Sequence, residues 1–343
     1  MGDPAGIGPE IAVKALATPA VYVVARPLLF GDAAVISQAV QITGLDLKVR
    51  PIAQPEQAMF RQGTIAVLDL HNVNIASLQL GQVSAMAGKA AFEAITRAID
   101  AALARQIDAV VTNPINKEAV NLAGYHFAGH TEIFAHFTKT KDYTMMLVEQ
   151  NLRVVHVSTH VSMRQACDLV RKDRILTVIK LANDTCRSLG IESPLIGVAA
   201  LNPHASDGGL FGTEEHLHII PAVEAAKEAG IHAEGPFPAD TLFAKAKAGA
   251  YDVVVAMYHD QGHIPLKLLG FNWNQKEKKW DAVRGINITL GLPIIRTSVD
   301  HGTAFDQAGK ATASADSLLA AIEYAAKMAA KRERLWKTEP SLL

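Results

Sequence analysis

RVVHVSTH (153–160), PLIGVAALNPH (194–204) and YDVVVAMYH (251–259) are the stretches whose reading decides the fold. Each is an apolar, β-branched run too short for a globular helix, so each reads as a buried strand. Each ends in a histidine, at His160, His204 and His259, and passes into turn residues such as Thr159, Asn202, Pro203, Asp260 and Gly262. Three imidazoles at three strand ends could form a metal site in the crevice above a sheet. Three unrelated histidines, each hydrogen-bonded at its own strand end, satisfy the spacing equally well, because no HExxH or paired CxxC motif occurs. The surroundings of His259 favour chemistry: HDQGHIPLK (259–267) gathers Asp260, His263 and Lys267 into one short segment.

Outward from these runs the chain alternates strand and helix. AVYVVA (20–25), TIAVLDL (64–70) and IDAVVTNP from Ile107 read as strands, and Ser84 to Arg105 as a helix with Phe92, Ile95, Ile99 and Leu103 on one stripe. Further helices are expected near 162–189 and 213–230, the latter with Glu214 and Glu215 in its first turn, where the helix dipole favours acids. A last helix, 317–334, carries a Glu323–Lys327 pair at i,i+4. Helices between strands imply an α/β fold with a mostly parallel sheet. FNWNQKEKKWDAVRG (271–285) interrupts this pattern as a polar, lysine-rich segment: a hinge, an excursion over the cleft or an exposed loop. The opening MGDPAGIGPE has Gly2, Gly6 and Gly8, but its glycine order and prolines do not match a Rossmann or P-loop fingerprint. Pro9 is a suitable helix start, and the absence of a strand leading into Gly2 suggests a longer native N-terminus.

With 343 residues and 49% apolar composition the chain can bury a large core, and its length favours two domains. Lys plus Arg, 33, nearly balances Asp plus Glu, 34, so no basic field exists for a nucleic-acid partner. Cys167 and Cys186 are the only cysteines, which excludes a disulfide framework and fits the reducing cytoplasm. No apolar stretch long enough to span a membrane and no charged-then-apolar leader is present.

MGDPAGIGPE, TNPINKEA (112–119), GHTE (129–132), STH (158–160), LNPHA (201–205), ADT (239–241), YHDQGHIPLK (258–267) and NITLGLPIIRTSVDHGTAFD (287–306) together resemble the 4-hydroxythreonine-4-phosphate dehydrogenase family, from residue 1 to about 335. The resemblance implies a two-domain fold like that of isocitrate and isopropylmalate dehydrogenases, with the active site in the interdomain cleft. Residues 1–120 with 286–343 would form the cofactor side, and 121–285 the substrate, metal and dimer side. It implies an NAD-dependent, decarboxylating oxidoreductase using a divalent ion such as zinc, magnesium, manganese or cobalt, and a homodimer whose site draws on both chains. TNPINKEA and VSTHVSMR look more like the branch acting on 4-phospho-D-threonate and 4-phospho-D-erythronate, in carbohydrate metabolism, than like the pyridoxine-biosynthesis enzyme. Carried over by motif, the metal ligands are His160, His204 and His259, and the substrate contacts His130, Thr131, Lys267, Asn287 and Arg296. The chain departs from the family in its longer lysine-rich stretch before Asn287.

The implied chemistry asks for a proton acceptor, and Lys267 is the first choice because a neighbouring cation makes an ammonium a better acid. Asp260 and His263 are rivals. VDHGTAFDQAG (299–309) offers Gly302, Thr303 and Asp306 for close approach to NAD.

Overall fold

The computed structural model describes residues 1–275, 279–283 and 285–338. Its chain divides into two compact units, Met1–Thr140 with Leu292–Ala329, and Lys141–Gly291 with Ala330–Leu343. Both are α/β and their strand pairs are mostly parallel, as the alternation of strands and helices predicts.

The first unit opens with α1 (Gly8–Ala17), whose first turn takes Pro9 without loss of a hydrogen bond. Residues 20–25, expected as a strand, instead form α2 (Pro19–Val24). Pro19 presets a helical φ, and with Val23 84% and Val24 51% exposed the run buries too little to join a sheet. β1 (Leu29–Gly31), α3 (Ala33–Thr43), β2 (Lys48–Ile52) and β3 (Thr64–Asp69) follow, and the three strands pair in parallel in the order β1-β3-β2. Ser84 then caps α4 (Ala85–Leu103) by accepting the Ala87 N–H. After β4 (Ala109–Thr112) come α5 (Lys117–Leu122) and α6 (His130–Phe137). Ile133 and Phe134 of α6 are fully buried in one core with Phe92, Ile95 and Ile99, so residues 121–140 pack with this unit and not with the second, where the sequence reading puts them.

The second unit runs β5 (Thr144–Glu149), β6 (Leu152–His156), α7 (Met163–Leu169), α8 (Lys172–Ser188), β7 (Ile196–Ala199), α9 (Ile220–Glu228), β8 (Ala233–Phe237), α10 (Ala239–Lys247), β9 (Val253–Ala256), α11 (His259–Gly270), β10 (Phe271–Asn274), β11 (Lys279–Val283) and β12 (Ile286–Leu290). Its strand order is β12-β5-β6-β9-β7-β8, with β5 antiparallel to its two neighbours and β6, β9, β7 and β8 mutually parallel. Residues 286–291 belong here because β12 pairs along all of β5. The expected helix over 162–189 is two helices, since Val170 and Arg171 leave helical geometry between them. The lysine-rich segment is an antiparallel hairpin of β10 and β11; its residues 276–278 and 284 lie outside the described residues.

The chain then returns to the first unit with β13 (Ile295–Val299), parallel to β4, and with α12 (Asp316–Thr338) as far as Ala329; on that helix Glu323 and Lys327 pair at 2.7 Å. No helix among the described residues is long and apolar enough to cross a membrane.

Candidate active site

Because β6, β9 and β7 are adjacent and parallel, their C-terminal ends lie side by side, and His160, His259 and His204 follow those three ends. The polar HDQGHIPLK segment is not a loop but the body of α11, so His259, His263 and Lys267 recur at i,i+4 on one helix face. The rings of His259 and His263 stack at 3.6 Å, and those of His160 and His259 lie 5.9 Å apart. Asp260 Oδ1 sits 2.7 Å from His259 Nδ1, an arrangement that orients the ring and leaves Nε2 for a ligand. His263 is buried and its Nδ1 bonds to the His259 carbonyl at 2.9 Å. Beside it lies His156, fully buried, 4.7 Å ring to ring from His263. Burial holds His156 well below the ordinary imidazole range and His263 near 4, so both rings are neutral at pH 7. His156 hides in its own strand pattern, as one residue of a run that otherwise reads as valine core.

His204 stands on a different kind of backbone. His204, Ala205, Ser206 and Asp207 all have positive φ, between 45° and 69°, each costing about 1–3 kcal/mol for a non-glycine residue. Glu214 and Glu215, expected to complement a helix dipole, hold this loop instead. Glu215 Oε1 accepts the N–H groups of Leu201 (2.9 Å) and Asn202 (2.7 Å), and Asn202 Nδ2 donates to both glutamates at 2.8 and 2.9 Å. As donors, three imidazoles at adjacent strand ends suit a borderline divalent ion. As placed, no three ligating side chains among the described residues are gathered closely enough to enclose one.

The first unit holds the other polar group of expected site residues. His130 opens α6, Thr131 is buried beside it, and Arg296 on β13 is 2% exposed, donating to Thr112 Oγ1 at 2.7 Å with its guanidinium 5.5 Å from the Phe134 ring. The His130 Nε2 is closed off from solvent without a hydrogen bond. Burial, and then the charges of Arg296 and Lys117, hold this imidazole well below its ordinary range. Burial also brings Arg296 down to about 9, which leaves it cationic at neutral pH. Arg296, Lys117 and the N–H groups of the α6 first turn supply positive potential here, partly offset by the Glu132 carboxylate of that same turn, a setting that suits an anion. Lys267 and Asn287 lie in the second unit; Lys267 is exposed with its Nζ 5.2 Å from the Phe271 ring, and Asn287 Oδ1 on β12 is buried without a hydrogen bond.

The loop with Gly302, Thr303 and Asp306 leaves the C-terminal end of β13, beside that of β4, the place where parallel sheets receive ligands. A Cβ on Gly302 would meet nothing within 4 Å, so its backbone faces open space. Two residues to which the sequence reading gave no role secure this loop: buried Glu10, at the end of MGDPAGIGPE, accepts the N–H groups of Gly309 (2.6 Å) and Ala311 (2.8 Å), and Lys14 donates to the carbonyls of Ala311 and Ala313 at 2.7 and 2.6 Å. Their i,i+4 spacing on α1 was the available signal, but the partners lie about 300 residues away.

Residues 23–325 match the family described as pyridoxal phosphate biosynthetic protein PdxA. The D-threonate 4-phosphate dehydrogenase of Cupriavidus necator is 47% identical over 333 residues, 97% of this chain and 96% of that one. A crystal structure of 4-hydroxythreonine-4-phosphate dehydrogenase from Klebsiella pneumoniae superposes with a TM-score of 0.84 at 45% identity, covering 96% of this chain and 98% of its own. A terephthalate 1,2-cis-dihydrodiol dehydrogenase from Burkholderia xenovorans superposes with a TM-score of 0.66 at 32% identity, covering 95% and 96%.

Proposed function

The chain belongs to the PdxA family and is an oxidoreductase, and from that premise we propose that it oxidises the C3 hydroxyl of 4-phospho-D-threonate or 4-phospho-D-erythronate with NAD. The C3 hydride goes to the nicotinamide, the hydroxyl proton to a base, and the resulting 3-oxo acid loses its carboxyl group as carbon dioxide. The observation that carries the reading is the positive group of the first unit, where Arg296 and Lys117 act on a neutral His130 at the head of α6. Such a group recognises a phosphate or carboxylate and gains little from an uncharged polyol.

His160, His204 and His259 are proposed to hold one divalent ion per chain. Such an ion would supply Lewis-acid polarisation of the substrate, chemistry that neutral imidazoles would leave strongest because they do not neutralise its charge. Asp260 orients His259 through the 2.7 Å contact, and His263 has its Nδ1 committed to a backbone carbonyl. Lys267 is therefore the proposed proton acceptor, at Nζ, two turns along the same helix face. Gly302, Thr303 and Asp306 are proposed to meet NAD, and Asn287 the substrate.

A homodimer is proposed as the working form, in the cytoplasm. It is supported by large apolar side chains that the second unit leaves exposed around the histidine-bearing segments, among them Val161, Met163, Leu210 (72%), Leu217 and Leu268 (77%).

Oxidation of 4-phosphohydroxy-L-threonine is the second reading, favoured by the name of the Klebsiella structure. The two substrate types differ at C2, hydroxyl against amino, and share the phosphate, C3 hydroxyl and carboxylate. Side-by-side assays of NADH absorbance should give turnover with the two phosphorylated hydroxy acids and far less with their unphosphorylated forms. Turnover of the amino-acid phosphate alone would move the chain to the second reading.

A further inference from the structure

The head of α6 borders a space that no side chain of the helix cap fills. Gly129, just before the helix, brings no capping group, and the first N–H to bond back is that of Ile133, to the Gly129 carbonyl at 3.2 Å. The N–H groups of His130, Thr131 and Glu132 are left for another acceptor. A Cβ on Gly129 would come 3.4 Å from Glu132 Oε2 and 3.6 Å from Lys117 Cε, so those two side chains border the same space. His130 Nε2, shut away from solvent, has no partner, and both Lys117 and Arg296 are near enough for their charges to bear on that ring.

Lys117 is carried on firmly placed backbone. It is the first residue of α5, which Asn116 caps by accepting the Ala119 N–H at 2.9 Å, and Ala119 packs closely on Gly88 of α4. Five residues upstream, Thr112 of β4 receives the 2.7 Å bond from Arg296. Among the described residues no oxygen takes the exposed Lys117 ammonium.

We propose that Lys117 is a further substrate-binding residue, which together with Arg296 and the head of α6 receives the phosphate of the substrate and not its carboxylate. The inference rests on the anion reading given above and assigns that anion. A phosphate monoester carries close to two negative charges at neutral pH and has three terminal oxygens, whereas a carboxylate carries one charge on two oxygens. Three backbone N–H groups, an ammonium and a guanidinium offer more donors than two oxygens can use. Glu132 borders the space with the opposite charge, so removing it and removing Lys117 should move anion affinity in opposite directions.

The test is a calorimetric titration of the chelator-stripped full-length protein with inorganic phosphate, and with acetate as the carboxylate probe. Wild type should bind phosphate at least about tenfold more tightly than acetate. Lys117→Ala should bind phosphate at least about tenfold more weakly, Lys117→Arg should stay within about threefold of wild type, and Glu132→Gln should bind about threefold more tightly. Lys139→Gln removes the same charge at the opposite end of α6 and should leave the affinity unchanged. Wild-type phosphate affinity in folded Lys117→Ala overturns the proposal, and so does an equal loss in Lys117→Ala and Lys139→Gln, the mark of a general charge effect. If Lys117→Ala does not fold, Lys117→Gln decides by the same titration. Acetate bound as tightly as phosphate overturns the assignment to phosphate, whereas a wild type that binds neither sinks the anion reading itself.

Discussion

A histidine kept neutral at pH 7 does different work from a charged one, and His130 is such a residue. Its folded-state proton affinity is depressed by burial and by Arg296 and Lys117, and that of His301 is depressed by burial. Below about pH 6.5 the unfolded chain therefore takes up protons that the native chain refuses, and stability falls as pH drops from there, by up to about 1.4 kcal/mol per pH unit for each such site. Asp3 acts in the opposite sense: burial raises its carboxyl to about 6, so between roughly pH 4 and 6 it is the native chain that holds the extra proton. His130→Gln should flatten the acid side of the stability profile in urea melts run from pH 5 to 7, and an unchanged slope would show the ring to be protonated in the native state. For His204→Ala the expectation is a loss of NAD reduction of at least about 100-fold with normal folding by circular dichroism, together with less bound metal by elemental analysis. Strand-end histidines were legible because a β-branched run that stops at a polar turn is a local signal. The glutamates that hold His204 were not, because nothing in their own helix pattern announces a contact with the loop a dozen residues earlier.

At the scale of elements, Gly88 on α4 shows how packing reverses a local preference. Glycine to alanine inside a helix normally stabilises by about 1 kcal/mol, but a Cβ here would run into the Ala119 carbonyl on α5. Backbone cannot step aside as a side chain can, and overpacking costs about 1–3 kcal/mol, so Gly88→Ala should destabilise and lower the melting temperature by several degrees. A melting temperature at or above wild type would mean that the two helices separate freely. The same competition explains which elements the sequence could disclose. The valine-rich strands of the second unit, the α4 stripe at Phe92, Ile95 and Ile99 and the Glu323–Lys327 pair follow from short-range periodicity, whereas Leu103, expected on that stripe, ends the helix 44% exposed. The AVYVVA helix, the break between α7 and α8 and the hairpin in the lysine-rich segment depend on what is buried against what. At residues 20–25 a β-branched composition lost to Pro19 and to exposure.

For the molecule as a whole, the proposed shared site makes a mixing experiment informative. His204→Ala and Lys267→Ala, each inactive alone, should recover partial NAD reduction when co-refolded if those positions serve one site from opposite chains, and an active species sedimenting as a monomer would exclude the arrangement. The division of the chain has a further bearing, on how the protein emerges during synthesis. The second unit is built almost wholly from one continuous stretch, Lys141–Gly291, whereas the first closes only when Leu292–Ala329 joins Met1–Thr140. Until then β4 has no β13 to pair with, and the core around Ile11, Val35 and Ile36 lacks Val299, Ala313 and Leu318. At about 5–20 residues per second, the opening segment waits roughly 10–30 s on the ribosome while its neighbour folds. Over that interval Met1–Thr140 is an unfinished surface, and it is there that a nascent chain of this design depends most on a chaperone.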